Sequence, residues 1–333
     1  MSEFFNLKFE NNELIFINQI KLPFREEYIH TDDYNRIAEA IERLEIRGAP
    51  AIGVAVAFGL ALSIKKNASA ENFYTAYERL KKTRPTAVNL FRALDTIKSA
   101  YEKWKESPSI YENLLKEAID IHNDDIDKCN KIALNGIGIF TKGSIVLTHC
   151  NTGKLATGGD GTAFAVIKKG YENKLVSYVY ADETRPLMQG SRLTAFELNK
   201  SGIPFSIITD STAAFLMQQK KIDIAITGAD RIASNGDSAN KVGTYNLAVI
   251  CKYHNIPFYI AAPTSTIDNN IDSGSEIPIE ERYPEEVLSV NSTPVTLSEY
   301  DVYNPSFDKI PAELISGIIT EEGLFSFPYN FKK

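Results

Sequence analysis

Ser144-Ile145-Val146-Leu147-Thr148-His149-Cys150-Asn151-Thr152-Gly153 opens as an apolar run and closes in polar residues and a glycine. A short continuous apolar run bounded by turn residues reads as a strand buried on both faces, the look of strands in parallel sheets. With this one over 144–150, four more runs follow at 175–181, 204–209, 223–229 and 257–262. Helical patterns separate them at 162–171, 191–200, 212–219 and 243–254. Strands alternating with helices define βαβ units, because a parallel neighbour is reached only through a crossover. The spacing therefore predicts an α/β fold, a Rossmann-like doubly wound parallel sheet occupying the second domain, 126–333.

In such sheets ligands bind outside the carboxyl ends of the strands. The residues at those ends are His149-Cys150-Asn151-Thr152, Asp182-Glu183-Thr184-Arg185, Asp210-Ser211-Thr212, Gly228-Ala229-Asp230-Arg231 and Pro263-Thr264-Ser265-Thr266. One rim thus gathers a thiol, several carboxylates and two arginines. Cys150 opens the glycine-rich stretch 153–161 and reads either as a reactive thiol facing a pocket or as an inert buried cysteine. Asp230 follows a very apolar strand, where desolvation would favour a protonated acid, while Arg231 and Lys241 pull the other way. Its alternative is a helix N-cap or a structural ion pair.

Upstream, 1–125 reads as a mainly helical domain with a few strands. A strand is expected over 13–18 and a helix over 31–44, with Ile37, Ala40, Ile41 and Leu44 on one face. Arg47-Gly48-Ala49-Pro50 precedes a small-residue helix over 51–64, and Pro50 suits a first turn, where no amide hydrogen is needed. Arg84-Pro85-Thr86-Ala87 repeats the arrangement. An arginine just before a helix start, where amides and the helix dipole already attract anions, is a candidate phosphate ligand, and here there are two.

Composition narrows the function classes. A net charge of −7 argues against nucleic acid or an anionic membrane surface as partner, since those demand clustered Lys and Arg. The longest uncharged run, 48–64, has 17 residues and contains Pro50, Gly53 and Gly59, so it reads as a buried helix rather than a span. Cys129, Cys150 and Cys251 form an odd set without CxxC spacing, which fits a reducing, cytoplasmic setting, and the charged N-terminus lacks a signal-peptide core. Cys129 and Cys251 fall inside helical patterns and read as inert. The four histidines show no HxH or HxxxH pair, so no metal is expected, and Asp124 and Asp125 read as a solvated helix face. Gly158-Gly159-Asp160-Gly161 is not GxGxxG, and no dinucleotide cofactor is expected.

Taken together, the strings carry a resemblance. They are Arg47-Gly48-Ala49-Pro50-Ala51-Ile52-Gly53, Arg84-Pro85-Thr86-Ala87-Val88-Asn89-Leu90, His149-Cys150-Asn151-Thr152-Gly153, Ala181-Asp182-Glu183-Thr184-Arg185-Pro186 with Gln189-Gly190, Gly228-Ala229-Asp230-Arg231-Ile232, and Asn240-Lys241 with Gly243-Thr244-Tyr245. The chain resembles the S-methyl-5-thioribose-1-phosphate isomerases of methionine salvage, relatives of the regulatory subunits of initiation factor 2B, from about Leu14 to Phe325. The resemblance implies a cofactor-free aldose–ketose isomerase and a homodimer acting on a small sugar phosphate. It puts the family's catalytic cysteine and aspartate on Cys150 and Asp230, and its substrate contacts on Arg47, Gly48, Ala49, Arg84, Gln189, Asn240 and Lys241.

Two positions depart from the family pattern. Asp160 stands where many relatives have an aromatic, and Ser191 replaces the commoner alanine. Rival readings are an isomerase of 5-deoxyribose 1-phosphate or ribose 1,5-bisphosphate, a non-catalytic regulatory subunit, and a nicotinamide dehydrogenase. A bisphosphate needs a second cationic cluster that the strings lack. The regulatory reading predicts loss of Cys150 and Asp230, and the dehydrogenase lacks its fingerprint.

Overall fold

The computed structural model describes residues 4–84, 88–290 and 292–332. The chain divides into two compact units, Met1–Asn130 with Gly153–Gly161, and Lys131–Thr152 with Thr162–Lys333.

The first unit opens with an antiparallel sheet, β1 (Leu7–Glu10), β2 (Glu13–Ile17) and β3 (Tyr28–Thr31), in that order. Helices α1 (Tyr34–Glu42), α2 (Ala49–Lys66), α3 (Ala70–Lys81), α4 (Val88–Trp104) and α5 (Ile110–Gly136) follow, the division between units falling within α5. The helix expected over 31–44 is shorter because Thr31 still belongs to β3, the Asp33 carboxylate caps α1 by accepting from the Asn35 amide, and Leu44 turns left-handed at φ 61°. Helix α2 is the axis of this unit, with every residue from Ala51 to Ile64 buried and α1, α3 and α4 packed around it. By length and composition alone it would pass for a membrane span, but its apolar surface is spent on the core. Gly53 lets α2 and α4 approach closely, since a Cβ there would lie 3.0 Å from the Asn89 carbonyl oxygen. Pro85, Thr86 and Ala87, part of the second arginine motif, lie outside the described residues.

The second unit contains β4 (Ser144–Thr148), α6 (Ala163–Glu172), β5 (Val176–Asp182), α7 (Ala195–Lys200), β6 (Phe205–Ile208), α8 (Thr212–Gln218), β7 (Ile224–Thr227), β8 (Arg231–Ala233), β9 (Ser238–Lys241), α9 (Thr244–His254) and β10 (Phe258–Ala261). After these come β11 (Ile267–Asp268), α10 (Glu285–Leu288), the short hairpin β12 (Ser289–Val290) and β13 (Thr293–Pro294), β14 (Phe307–Ile310), β15 (Gly317–Thr320) and β16 (Gly323–Phe325). All five expected strands are present as β4, β5, β6, β7 and β10. The helix expected over 191–200 opens as a π-helical turn, Gly190–Thr194, before α7.

The main sheet runs β16-β15-β10-β7-β4-β5-β6, parallel from β15 to β6, with β16 antiparallel at one edge. Its side chains alternate between two cores. Leu147, Ala225, Ile260 and Ile318 point to the layer of α8 and α9, while Val146, Ile224, Ile226, Ala261 and Ile319 point to that of α6 and α7. Both faces are covered, which is why these strands read as continuous apolar runs. A second sheet, β11-β8-β9-β14, is built from strands too short and polar to show a period.

Candidate functional site

In the main sheet the chain leaves β4 in both directions, through β5 and β6 on one side and through β7 and β10 on the other. The crevice outside the carboxyl ends of β4 and β7 is therefore the topological switch point, the place where such sheets bind ligands. Cys150 follows β4 there and Asp230 follows β7. The strand ends are drawn tightly together: Thr148 Oγ1 donates to the Ile226 carbonyl at 2.9 Å, and a Cβ on Gly228 would meet Thr152 Cγ2 at 2.8 Å.

Cys150 is half-buried and sits at φ +65°, a region costly for any side chain bearing a Cβ. Both of its backbone polar groups are held by threonine hydroxyls. Its N–H donates to Thr184 Oγ1 at 2.9 Å, and its carbonyl accepts from Thr194 Oγ1 at 2.6 Å. Thr184 is itself left-handed at φ +64° and fully buried. The Asp210 carboxylate imposes that turn by accepting the amides of Thr184 and Arg185, each at 2.8 Å. Next to the thiol, Asn151 Nδ2 donates to Glu197 Oε1 at 2.8 Å.

Asp230 is followed by β8 and not by a helix, so the N-cap reading fails; its N–H donates to the Ala239 carbonyl on β9 at 2.8 Å. Asn240 and Lys241 are buried on β9, opposite Asp308 and Phe307 of β14. Lys241 Nζ donates to the Ser306 carbonyl at 2.6 Å and lies 4.6 Å from the centroid of the Phe307 ring. Asn240 Nδ2 donates to Thr244 Oγ1, which in turn donates to the Lys241 carbonyl. The start of α9 is already filled by the Asp308 carboxylate, which accepts from the Gly243 and Tyr245 amides. Burial raises the pKa of Asp308 against the pull of those amides and of the charges on His149 and Lys241. Gln189 is buried just before the π-helical turn, and its Oε1 meets no hydrogen-bond partner among the described residues.

In the first unit, Gly48 stands at the start of α2 with φ +89°, no side chain among the described residues caps the helix, and Pro50 lies in its first turn. Arg47 Nη1 is buried without a hydrogen-bond partner among the described residues. A guanidinium donor left over beside an uncapped helix start is the local setting an oxyanion would complete. Ala49 is the first residue of α2, and Arg84 stands before the undescribed 85–87.

The stretch Gly153–Gly161 is fastened within the first unit. Asp125 Oδ2 accepts the Gly158 amide at 2.6 Å and His122 Nε2 lies 3.1 Å from the Gly158 carbonyl, so Asp125 is a loop anchor rather than part of a solvated face. Asp124, by contrast, is exposed and pairs with Lys128. Burial lowers the pKa of His122, so the neutral ring donates to that carbonyl. The unusual Asp160 is paired with Lys154 at 3.1 Å. Cys129 and Cys251 are buried, their thiols pushed up by burial, Cys129 to about 12.

One cluster escapes a reading by local spacing. His149, Asp182 and Asp210 bring ligand-type atoms within 4.8 Å of one another, from the ends of β4, β5 and β6. The three lie far apart in the chain, so a search for HxH or HxxxH misses them; their common position just past apolar strands was the available signal. Such a donor set can hold a proton or a cation.

Residues 45–327 match the Initiation factor 2 subunit family. A methylthioribose-1-phosphate isomerase of Caldicellulosiruptor saccharolyticus is 48% identical over 331 residues, 98% of this chain and 97% of that protein. Among solved structures, 5-methylthioribose 1-phosphate isomerase from Pyrococcus horikoshii OT3 is similar with a TM-score of 0.93 and 41% identity, over 99% of this chain and 94% of that one. Translation initiation factor eIF-2B, subunit delta, from A. fulgidus is similar with a TM-score of 0.89 and 38% identity, over 98% and 97%.

Proposed function

The chain belongs to the Initiation factor 2 subunit family, and within it we propose that it is the aldose–ketose isomerase converting 5-methylthioribose 1-phosphate into 5-methylthioribulose 1-phosphate, a step of methionine salvage. The observation that carries this reading is the presence of Cys150 and Asp230 just past the two strands that flank the switch point. A purely regulatory subunit has no use for a thiol in a strained turn past one strand and an acid past its neighbour. Relatives named for this isomerisation match nearly the whole chain.

The substrate's anomeric oxygen is locked by phosphate, so ring opening cannot begin with loss of an anomeric hydroxyl proton. In the proposed mechanism Asp230 protonates the ring oxygen as the C1–O bond breaks, then takes back a proton from the C2 hydroxyl as the ketone forms. Its protonation state is thereby restored. Cys150 serves the hydrogen that moves from C2 to C1, either by accepting it as a proton from C2 and returning it to C1, or by stabilising a direct hydride shift. Solvent deuterium entering at C1 marks the first route, in which the thiol proton exchanges with water before it is returned. Arg47 and Lys241 are assigned to the phosphate, with Gly48 and Ala49 lending the amide end of α2. Arg84, Gln189 and Asn240 are assigned to the sugar hydroxyls.

A cytoplasmic setting is supported by three cysteines that are all free. A homodimer is supported by Tyr245, Val249 and Tyr253, exposed on one stripe of α9, with Phe215 exposed on the adjoining α8. Light scattering on the purified protein tests the dimer. The function is tested by phosphorus NMR of protein incubated with 5-methylthioribose 1-phosphate, 5-deoxyribose 1-phosphate and ribose 1,5-bisphosphate in parallel. Highest efficiency on the methylthio sugar is expected, whereas turnover of none of them would leave the regulatory reading standing.

A further inference from the structure

The chemistry assigned to Cys150 and Asp230 leaves one buried group of the rim unused. His149 and Asp182 are almost completely buried, and Nδ1 of His149 lies 2.9 Å from Oδ2 of Asp182. Nε2 of the same ring lies 3.0 Å from the carbonyl of Val242. A carbonyl only accepts, so Nε2 carries a hydrogen. The contact between Nδ1 and a carboxylate oxygen also requires a proton, resident on one atom or the other. The pair therefore holds one shared proton and, with it, no net charge.

The ring occupies a junction. It belongs to the residue immediately before Cys150, and Val242 immediately follows Lys241. The ring lies flush on the next residue, because a Cβ on Gly243 would come within 2.9 Å of His149 Cε1. The other oxygen of Asp182, Oδ1, meets no hydrogen-bond partner among the described residues, so His149 is the one side chain seen to justify burying that carboxyl.

We propose that His149, clamped by Asp182, is a positioning residue for the isomerisation, locking the turn that carries Cys150 to the segment that carries Lys241. This rests on the isomerase reading given above. The lock holds while the shared proton is present. Without it, either Nδ1 faces the carboxylate or Nε2 faces the carbonyl, lone pair to lone pair. Among the described residues, the charged groups acting on the ring are Asp182 of β5 and Asp210 beyond β6, and the ring in turn acts on Asp308 of β14, which also feels the charge of Lys241 on β9. Burial works against a charged imidazole, but the hydrogen bond and charge of Asp182 and the charge of Asp210 outweigh it and raise the pKa of His149. Burial likewise raises Asp182, to about 6, against the pull of His149. Both shifts keep the proton on the pair.

Three substitutions separate the links. In His149→Asn the side-chain amide reaches where Nδ1 was and keeps Asp182 but loses Val242. His149→Gln keeps Val242 and loses Asp182. In Asp182→Asn the new amide donates to Nδ1, leaving a neutral ring that still donates to Val242 and a pair that no longer titrates. His149→Asn is expected to raise KM at least tenfold and lower kcat at least tenfold, and His149→Gln to restore most of the KM. Asp182→Asn is expected to keep at least a tenth of kcat, with the alkaline limb of its pH profile displaced or removed. Histidine-selective proton–nitrogen NMR reads the pair without turnover: one strongly deshielded, slowly exchanging ring proton is expected in the parent protein and none in Asp182→Ala. Variants within twofold of the parent in kcat and KM, or an Asp182→Asn profile superimposable on the parent's, would overturn the proposal. So would chelator-sensitive activity restored by a divalent cation, which would put a metal where the proton is placed. Absence of turnover in the parent would sink the isomerase reading instead, while the NMR signal would still report on the pair.

Discussion

Gly48→Ala puts the construction of the α2 start to a quantitative test. Gly48 sits at φ +89°, and a Cβ there would lie 2.3 Å from the Ala156 carbonyl oxygen, 2.4 Å from its Cα and 2.7 Å from its carbonyl carbon. These are backbone atoms of a stretch that Asn6, His122 and Asp125 hold in place, so no flexible tip can swing away. Alanine at positive φ costs about 1–2 kcal/mol. Forcing a methyl into an occupied space costs about 1–3 kcal/mol more. The sum, about 2–5 kcal/mol, is large against the stability of an ordinary domain. The chain's single tryptophan, Trp104, ends α4 in the same unit, so urea unfolding followed by its fluorescence reads that unit. Gly59→Ala is the matched control within α2. Its Cβ would meet Ile37 and Leu80 at ordinary contact distances from 3.4 Å, and alanine there should be neutral or stabilise by up to about 1 kcal/mol. Displacing the α2 start should also move Arg47 and raise the half-saturation concentration for substrate. A Gly48→Ala midpoint indistinguishable from that of Gly59→Ala would refute the close-approach reasoning.

Arg47→Lys keeps the charge but loses the planar fork, and Lys241→Ala removes a buried cation; each should raise KM at least tenfold in steady-state kinetics, and unchanged KM would remove that residue from phosphate binding. Stability should fall as the solution is made alkaline: with its pKa raised in the fold, His149 contributes fully below the imidazole value of about 6.5 and loses that contribution as pH rises through the raised value. Thermal unfolding across pH should show this slope in the parent and a flatter one in Asp182→Asn. Asp237 behaves oppositely: burial opposes its charge, but Asn235 and the amides of Gly274 and Ala312 hold it below the usual carboxylate range. Its contribution is present above the unfolded carboxylate value and lost as pH falls through the folded one, and Asp237→Ala should cost about 2–4 kcal/mol by denaturant unfolding.

The legible part of the fold is the part buried on both sides. Val146 and Leu147, or Ile224, Ala225 and Ile226, must be apolar whichever way they point, and that run of neighbours marks a strand without help from periodicity. The strand Ser238-Ala239-Asn240-Lys241 gives no such signal, because its polar residues are buried against β14 and loops that arrive much later in the chain. Likewise Asp230 could be placed at a strand end but not assigned its successor, since Arg231–Ala233 pairs with a strand too short to predict. The site was legible as far as the strand ends reached. Its supports were not: Thr184 and Thr194 meet Cys150 from positions 34 and 44 residues away, and His149 meets Asp182 across 33. Those contacts exist only once the crossovers have brought the strands side by side.

The central claim is that Cys150 and Asp230 carry out the isomerisation. The direct measurement is kcat for Cys150→Ser and Asp230→Asn on 5-methylthioribose 1-phosphate, followed by phosphorus NMR, with each variant's fold checked by circular dichroism and its phosphate affinity by calorimetry. Each variant is expected to lose at least two orders of magnitude in kcat while still binding the substrate, the scale of removing a nucleophile or a general acid. Folded variants that turn over within tenfold of the parent would contradict the account.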